Sequence, residues 1–219
     1  GFAIMFLYWT ITHLVRKIYG WTNEAASGHI ASIIGSGVIG ALAYTFSDTF
    51  WFSAVEEELY ALSSLVTGLV FWAMLKWEEE ADDPRSGRWI ILIAYIMGLG
   101  LGIHRLNLLV IPVLFFVYYF RKYEVTRGGI IKTLLLAVVA IYLMVFVIIP
   151  GVPKVAGWFE LFFVNVIGLP YNTGLLFFLV ILAAVLVAGI RYSQKSGRVV
   201  LNYVMTILTV VMIGYSSYA

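Results

Sequence analysis

The sequence predicts an all-α protein, a polytopic transmembrane helical bundle of about eight spans. Of the 219 residues, 62% are hydrophobic and only 12% are charged, a composition typical of polytopic membrane proteins rather than soluble domains. Several apolar runs approach the ~20 residues that a helix needs to cross a bilayer. Short polar segments separate these runs, as expected for loops between spans.

The predicted spans follow one another along the whole chain. They cover residues 1–15, 30–47, 59–76, 89–103, 107–120, 130–149, 173–190 and 199–219. The fourth and fifth are short, because only 32 residues separate Arg88 from Arg121. Two short helices joined by a tight turn and a broken, re-entrant pair both fit that length, and the sequence leaves the choice open.

The basic residues predict which side of the membrane each loop faces. Of the 14 lysines and arginines, 2 fall in one set of alternate loops, Arg105 and Lys154, and 12 fall in the other. Cytoplasmic loops carry an excess of Lys and Arg, so the larger set is predicted to be cytoplasmic. Both chain ends, Glu56–Glu58 and the turn at 104–107 are then expected on the outer side.

Segment 150–172 does not resemble a span. It contains Pro150, Pro153 and Pro170, with aromatic side chains between them. One interpretation is an aromatic-rich helix lying in the outer interface, and the other is a loop anchored there by its aromatic residues. With this outer segment included, residues 1–219 are predicted to form one transmembrane domain, itself part of a larger one.

Composition excludes several kinds of site. The chain has no cysteine and only three histidines, so disulfides and thiolate metal centres are ruled out. The net charge of +2 and the scattered basic residues do not fit nucleic-acid binding.

Three consecutive glutamates, Glu56–Glu58, stand between two apolar runs. Carboxylates at a membrane edge are costly and usually functional, and a carboxylate whose pKa rises can act as a general base. Successive residues of a helix point ~100° apart, so at most two of the three would face one pocket. The alternative is a helix N-terminus, with Asp48 or Ser53 as its cap and the acids in a favourable first turn.

A second polar group lies in the turn that contains His104, Arg105 and Asn107. An arginine can hold phosphate oxygens with two parallel hydrogen bonds, so this combination indicates an anion or phosphate site. The alternative is that these side chains cap two helix ends and contact lipid headgroups.

Two further patterns are expected to be structural. Gly98, Gly100 and Gly102 precede the turn and predict close helix packing or a broken helix. The acidic run 78–83 lies beside Arg85 and Arg88 and is interpreted as a solvated cytoplasmic loop.

These motifs resemble a known family. The segment Trp51–Leu62, the stretch Gly98–Leu109 with Pro112 after it, and the ending Gly214–Ala219 are similar to bacterial membrane proteins of the DUF2723 family. That family is similar to protein O-mannosyltransferases and belongs to the wider GT-C glycosyltransferase superfamily. The resemblance covers most of the chain and implies a GT-C-like fold.

The resemblance also implies an activity. It indicates an integral enzyme of the bacterial inner membrane that moves a sugar from a polyprenyl-phosphate donor to a protein or glycan acceptor outside the cytoplasm. The residues expected to act in catalysis are Glu56, Glu58 and His104. Those expected to bind substrate are Asp48, Tyr60, Arg105 and Asn107, and of these Arg105 stands where the family more often has an apolar residue. A divalent metal such as Mg²⁺ or Mn²⁺ remains an open question.

One motif of the family is missing. GT-C enzymes carry an acidic motif in the first outer loop, which in this family resembles Asp-Ser-Gly-Glu-Phe, and the sequence has no such run. The chain is therefore expected to be a fragment whose catalytic base precedes residue 1. Two alternative functions remain, a non-catalytic membrane subunit of a larger complex and a lipid or solute transporter. A transporter favours polar groups near the bilayer midplane, where this chain has almost none.

Overall fold

The structure is a computed structural model that describes residues 1–20, 27–55 and 59–217. All the regular secondary structure in these ranges is helical, which confirms the predicted all-α class. The chain divides into two compact units. The first contains Gly1–Glu124 and Val210–Ala219, and the second contains Val125–Thr209.

The first unit is built around one central helix. Its helices are α1 (Phe2–Ile18), α2 (Ser27–Thr45), α3 (Asp48–Val55), α4 (Tyr60–Glu79), α5 (Gly87–Ile103), a 3₁₀-helix (Arg105–Val110) and α6 (Ile111–Lys122). Helix α4 packs against α1, α5 and α6, and its Val70, Ala73 and Trp77 are almost fully buried. The core of this unit therefore lies along α4.

The helices of the first unit run back and forth between two ends. Lys17, near the end of α1, pairs with Glu78 in the last turn of α4, whereas the Tyr44 hydroxyl at the end of α2 lies 3.4 Å from Ser64 Oγ near the start of α4. We call these the Glu79 end and the Tyr60 end. The 20 residues of α4 place them ~30 Å apart.

The second unit contains one unusually long helical run. Helix α7 (Arg127–Tyr142), a π-helix (Leu143–Ile148), α8 (Ile149–Leu161) and a second π-helix (Phe162–Val166) follow without a break, giving 40 continuous helical residues. Helix α9 (Thr173–Lys195) and the first part of α10 (Val199–Ser216) complete the unit.

The continuous run differs from the sequence prediction, which ended a span at residue 149. Pro150 and Pro153 lack backbone N–H groups and would normally kink or end a helix. Here the π-helix Leu143–Ile148 lies directly before Pro150, and such wider turns accommodate a break in the hydrogen-bond ladder. The interfacial location of 150–172 stays a prediction.

The described part of the chain contains fewer helices that could span a membrane by themselves than the eight spans predicted from the sequence. Among the described residues, four helices are long and apolar enough to cross a membrane, namely α4, the run Arg127–Val166, α9 and α10. A fifth is possible if α2 and α3, which meet at a 60° bend, act as one span. Helices also occur at the other predicted spans but are shorter, with 17 residues in α1 and α5 and 12 in α6. The protein is thus an integral membrane protein, and eight spans stay a prediction.

Glycines allow the predicted close packing between helices. A methyl group at Gly98 of α5 would lie 2.3 Å from the carbonyl oxygen of Val211 in α10. In the same way, a methyl group at Gly37 of α2 would lie 2.5 Å from Thr12 Cγ2 in α1. Both distances are far below van der Waals contact. The helices can therefore pack this closely only because glycine has no side chain at these two positions.

Candidate functional site

The Tyr60 end of the first unit gathers most of the predicted site residues. Helix α5 stops at Ile103, and His104 adopts an extended conformation with φ −155° and ψ 131° before the 3₁₀-helix begins. This sharp change of direction returns the chain to the start of α4. As a result, the His104 and Tyr60 rings lie 5.1 Å apart between centroids.

The hydrogen bonding of His104 determines which ring nitrogen is available to form a hydrogen bond with a ligand. The backbone N–H of Leu106 donates to His104 Nδ1 at 3.1 Å, which caps the 3₁₀-helix. Because Nδ1 accepts this bond, the neutral imidazole carries its proton on Nε2. In its neutral form His104 is therefore a hydrogen-bond donor to a ligand, not a general base.

Asn107 lies at the centre of a buried hydrogen-bond network. Its side chain is only 1% exposed, and Nδ2 donates to the Gly100 carbonyl oxygen at 2.7 Å. Its Oδ1 accepts bonds from Ser63 Oγ at 2.9 Å and from Thr67 Oγ1 at 3.2 Å. The amide therefore joins α4, α5 and the 3₁₀-helix, and it is already occupied by protein partners.

Arg105 is the one basic residue predicted on this side in the first unit, and it is exposed. Its guanidinium makes no ion pair with any described carboxylate. It follows His104 directly in the chain, so both donors belong to the same turn. This turn can offer an anion one charged and one neutral donor.

The acidic residues of the predicted site are placed less completely. Asp48 is exposed and begins α3 at the Tyr60 end, where Ser47 Oγ accepts a 3.4 Å bond from Phe50 N and acts as the cap. Glu56 and Glu58, the two predicted catalytic carboxylates, lie outside the described residues. Their predicted roles remain untested.

The described residues offer no cluster of three His, Asp or Glu side chains that could hold a metal ion. Glu56–Glu58 lie outside the described residues.

The Glu79 end has the opposite character, with acids and bases paired in a network. Carboxylates of the run 78–83 bind cations from four helices, through the ion pairs Lys17–Glu78, Lys76–Glu79, Arg88–Glu80, Arg121–Asp82 and Lys122–Asp82. The interpretation of this run as a merely solvated loop thus missed its contacts, which join α1, α4, α5 and α6. With Arg85, which pairs with Asp83, the run 78–83 gathers at one end six of the basic residues predicted to share a side.

Two carboxylates of this network have perturbed acidities. A hydrogen bond from the Trp89 indole N–H at 2.9 Å and another from Arg88 at 2.6 Å lower the pKa of Glu80. Hydrogen bonds from Arg121 and Lys122 likewise lower the pKa of Asp82. Both carboxylates are accordingly held in the ionised form that binds their partners.

Two residues that hold Asn107 in place, Ser63 and Thr67, were not predicted from the sequence. Tyr60, Ser63 and Thr67 have the i, i+3, i+7 spacing of one helical stripe, so a search for polar residues on the face of Tyr60 would have found them.

Comparison with known proteins decides the family. The model of the family described as protein O-mannosyl-transferase TMEM260 N-terminal domain matches residues 1–127, which is more than half of the chain. The chain belongs to this family. The first segment of the first unit ends at Glu124, and the match ends three residues later. The match therefore includes helices α1 to α6 and the His104 turn. Among curated proteins and among solved structures, no significant match was found.

Membership agrees with the resemblance found in the sequence. It supports a membrane-embedded family similar to O-mannosyltransferases. The residues Tyr60, His104, Arg105 and Asn107 all fall within the matched part of the chain.

Proposed function

We propose that this chain forms part of a membrane glycosyltransferase that moves a sugar from a polyprenyl-phosphate donor to a protein or glycan acceptor on the non-cytoplasmic side. The observation that carries the proposal is the family match over residues 1–127. The Tyr60 end fits this activity because its two adjacent donors, His104 and Arg105, have no described carboxylate to neutralise them.

The proposed reaction is a displacement at the anomeric carbon. The acceptor hydroxyl oxygen attacks that carbon, the bond to the phosphate oxygen breaks, and the electron pair leaves with the polyprenyl phosphate. A carboxylate base takes the hydroxyl proton. The family resemblance implies that this base belongs to the acidic loop motif, which does not occur in residues 1–219, and that Glu56 or Glu58 orients the acceptor or shares a metal.

His104 and Arg105 stabilise the departing phosphate in this proposal. Negative charge develops on the phosphate as the bond to the sugar breaks, and donors already in position stabilise such charge without reorganising. The Leu106 N–H holds the imidazole so that Nε2–H is free to donate. Arg105 supplies the positive charge.

The remaining predicted residues support binding rather than chemistry. The Tyr60 ring, which is 41% exposed beside His104, offers a face on which a sugar can pack. Asp48 offers an exposed carboxylate for sugar hydroxyls. Asn107 is assigned a positioning role, because its amide is buried and holds the turn that carries His104.

Two substitutions of His104 separate its two nitrogens. His104→Asn places an acceptor oxygen near the position of Nδ1, so it keeps the bond to Leu106 N–H but loses the distal donor. His104→Gln reaches the position of Nε2 and keeps a distal N–H donor. Sugar transfer from a radiolabelled polyprenyl-phosphate donor is measured in membranes that contain the full-length protein, at equal expression of each variant.

We expect His104→Asn to lower transfer by roughly a hundredfold, the loss typical of removing one oxyanion donor, and His104→Gln to retain more. Equal loss in both variants would contradict the donor role. Normal transfer by His104→Asn would move the chemistry away from this turn. Absence of transfer by the unmodified protein would favour a non-catalytic subunit.

A further inference from the structure

A second concentration of basic residues lies in the second unit, where α9 ends and α10 begins. Helix α9 ends at Lys195, and α10 begins at Val199 after a short turn. Three cations gather here, Arg191, Lys195 and Arg198, and all three are exposed. We call them the 191–198 cluster. The proposed sugar transfer does not use them.

The turn that carries the cluster has a defined conformation. Gly197 has a φ of +64°, a left-handed conformation that glycine adopts without strain. The N–H of Arg198 donates to the Ser193 carbonyl oxygen at 3.1 Å, and the N–H of Gly197 donates to that of Gln194 at 3.3 Å. These two bonds form the Schellman motif that ends many helices. From α10, Asn202 Nδ2 donates to Ser193 Oγ at 3.0 Å, so Arg198 is held beside the end of α9.

The three cations lie on one side of the end of α9. Arg191 and Lys195 are four residues apart in this helix, so they are neighbours on its surface. Tyr192 and Lys195, three residues apart, are neighbours in the same way. The Arg198 guanidinium carbon lies 5.8 Å from the centre of the Tyr192 ring. Like charges held this close repel one another, so the cluster favours an anion among them.

The second unit has no carboxylate that can neutralise the cluster. Residues 161–219 contain no Asp or Glu, and Glu160 is the only carboxylate in Val125–Thr209. Both oxygens of Glu160 accept backbone bonds at the start of α9, which lies ~30 Å from Lys195 along the helix. That distance is several times the screening length of ~8 Å at physiological salt.

The contrast with the Glu79 end is one of pairing. There, the carboxylates of the run 78–83 pair with the surrounding cations. In the 191–198 cluster, no cation forms an ion pair with a described carboxylate. The cluster therefore keeps its full positive charge.

Apolar surface adjoins the cluster on both helices. Helices α9 and α10 are each long and apolar enough to cross a membrane, so the charged turn between them is expected at a membrane surface. Val187, one turn before Arg191, is exposed, and so are Val199 and Val200, directly after Arg198. A molecule with an anionic head and apolar chains matches both surfaces, whereas a soluble anion would use only the charged one.

We propose that the 191–198 cluster binds the phosphate of an anionic phospholipid with the headgroup chemistry of phosphatidylglycerol. The phosphate lies among the three cations, and the acyl chains lie along the exposed apolar residues of α9 and α10. Basic residues next to a membrane span attract anionic lipids in this way. The proposal does not depend on the proposed sugar transfer.

The test measures lipid binding by native mass spectrometry. Phosphatidylglycerol or phosphatidylcholine is titrated into the full-length protein in detergent micelles, and soluble glycerol 3-phosphate is added as a competitor. The variants are Arg191→Gln, Lys195→Gln and Arg198→Gln, singly and combined, and Lys195→Arg, which keeps the charge. Melting without added lipid checks that each variant is folded, and the single variants suffice if the triple variant is not.

The matched control is Lys154→Gln. Lys154 is exposed, belongs to the same unit and lies over an aromatic ring, 5.4 Å from the centre of Trp158. It is, however, the only cation in residues 133–190. The control therefore removes one charge without affecting the cluster.

We expect the unmodified protein to bind phosphatidylglycerol more tightly than phosphatidylcholine and to lose this preference at high salt. Each single change to Gln should weaken phosphatidylglycerol binding about fivefold, and the triple variant should weaken it roughly a hundredfold. Lys195→Arg and Lys154→Gln should leave it unchanged. Equal affinity for the two lipids, or equal weakening by Lys154→Gln and Lys195→Gln, overturns the proposal. Displacement of the lipid by glycerol 3-phosphate would reveal a site for soluble anions and overturn the assignment to a phospholipid.

Discussion

Ser63 and Asn107, 44 residues apart in the chain, share a hydrogen bond of 2.9 Å inside the first unit. Together with the bond from Asn107 to the Gly100 carbonyl oxygen, it attaches the His104 turn to the centre of the unit. The position of the candidate site therefore depends on an amide that no ligand can reach directly.

Asn107→Leu should destabilise the first unit. The substitution leaves the buried hydroxyl of Ser63 and the partly buried one of Thr67 without their acceptor, and buried unsatisfied groups cost about 1–3 kcal/mol. Unfolding in detergent micelles, followed by denaturant titration, measures the effect. Asn165→Leu is the matched control, because Asn165 is exposed and has no such partners among the described residues. Equal losses in the two variants would show that the network contributes nothing specific.

Gly100→Ala should disturb the same network by steric conflict. The added methyl group would lie 2.7 Å from Val66 Cγ1 and 3.0 Å from Asn107 Nδ2. Overpacking of this kind costs about 1–3 kcal/mol, and the melting temperature should fall. Gly35→Ala is the control, because a methyl group at Gly35 meets nothing within 4 Å and alanine favours helix. Adding Val66→Ala to Gly100→Ala should restore part of the loss; no recovery would point to Asn107 as the main conflict.

Acid should weaken the Glu79 end. The pKa values of Glu80 and Asp82 are lower in the folded protein than their ordinary values of 4.5 and 3.8, so both carboxylates stabilise the fold at a pH above those values. That contribution is lost as the pH falls through the lowered pKa values. The melting temperature should therefore drop as the pH is lowered below about 4.5.

The pH experiment has an internal control. A double variant, Glu80→Gln with Asp82→Asn, should begin with a lower melting temperature at neutral pH and should lose less of it in acid. Because the Asp82 side chain is exposed and that of Glu80 is partly exposed, the difference should be modest. An unchanged acid dependence in the double variant would assign the effect to other carboxylates.

Glu160 caps a helix of the second unit from a distance. Its Oε1 accepts a bond from Asn172 N at 2.6 Å, and its Oε2 accepts one from Leu175 N at 2.9 Å, at the start of α9. Glu160→Ala should cost about 1–2 kcal/mol, as other lost caps do, and should speed hydrogen exchange in the first turn of α9. Glu124→Ala, at an exposed position, serves as control. Unchanged exchange at α9 would show that these bonds do not hold its first turn.

The location of most helices could be predicted from the sequence because it depends on local composition. Predicted spans such as 59–76, 89–103 and 173–190 lie within or close to α4, α5 and α9. The predicted end of a helix before Pro150 was wrong, because a proline in the sequence shows only that one backbone N–H donor is absent. Whether a helix stops there depends on the turns before it, which here widen into a π-helix.

The sequence indicated residue types for the candidate site but not their contacts. The turn at His104 became a candidate because a His, an Arg and an Asn are unusual together at a membrane edge, and its role stays a prediction. The buried state of Asn107 was not found, because its partners Ser63 and Thr67 lie about 40 residues earlier in the chain. Long-range pairing of this kind leaves only a weak periodic signal in one sequence.

The sequence by itself determined the helical class, the membrane association and the concentration of basic residues, Arg105 excepted, in loops other than the His104 turn. These properties follow from composition and residue order. A segment in the bilayer satisfies its backbone hydrogen bonds within its own helix, and Lys and Arg concentrate in the loops on one side of the membrane. Only the tertiary structure decided that the His104 imidazole presents Nε2–H, that Asn107 is a buried link and that the acidic run 78–83 joins four helices. Those facts depend on distances between segments remote in sequence, which are fixed only when the helices pack.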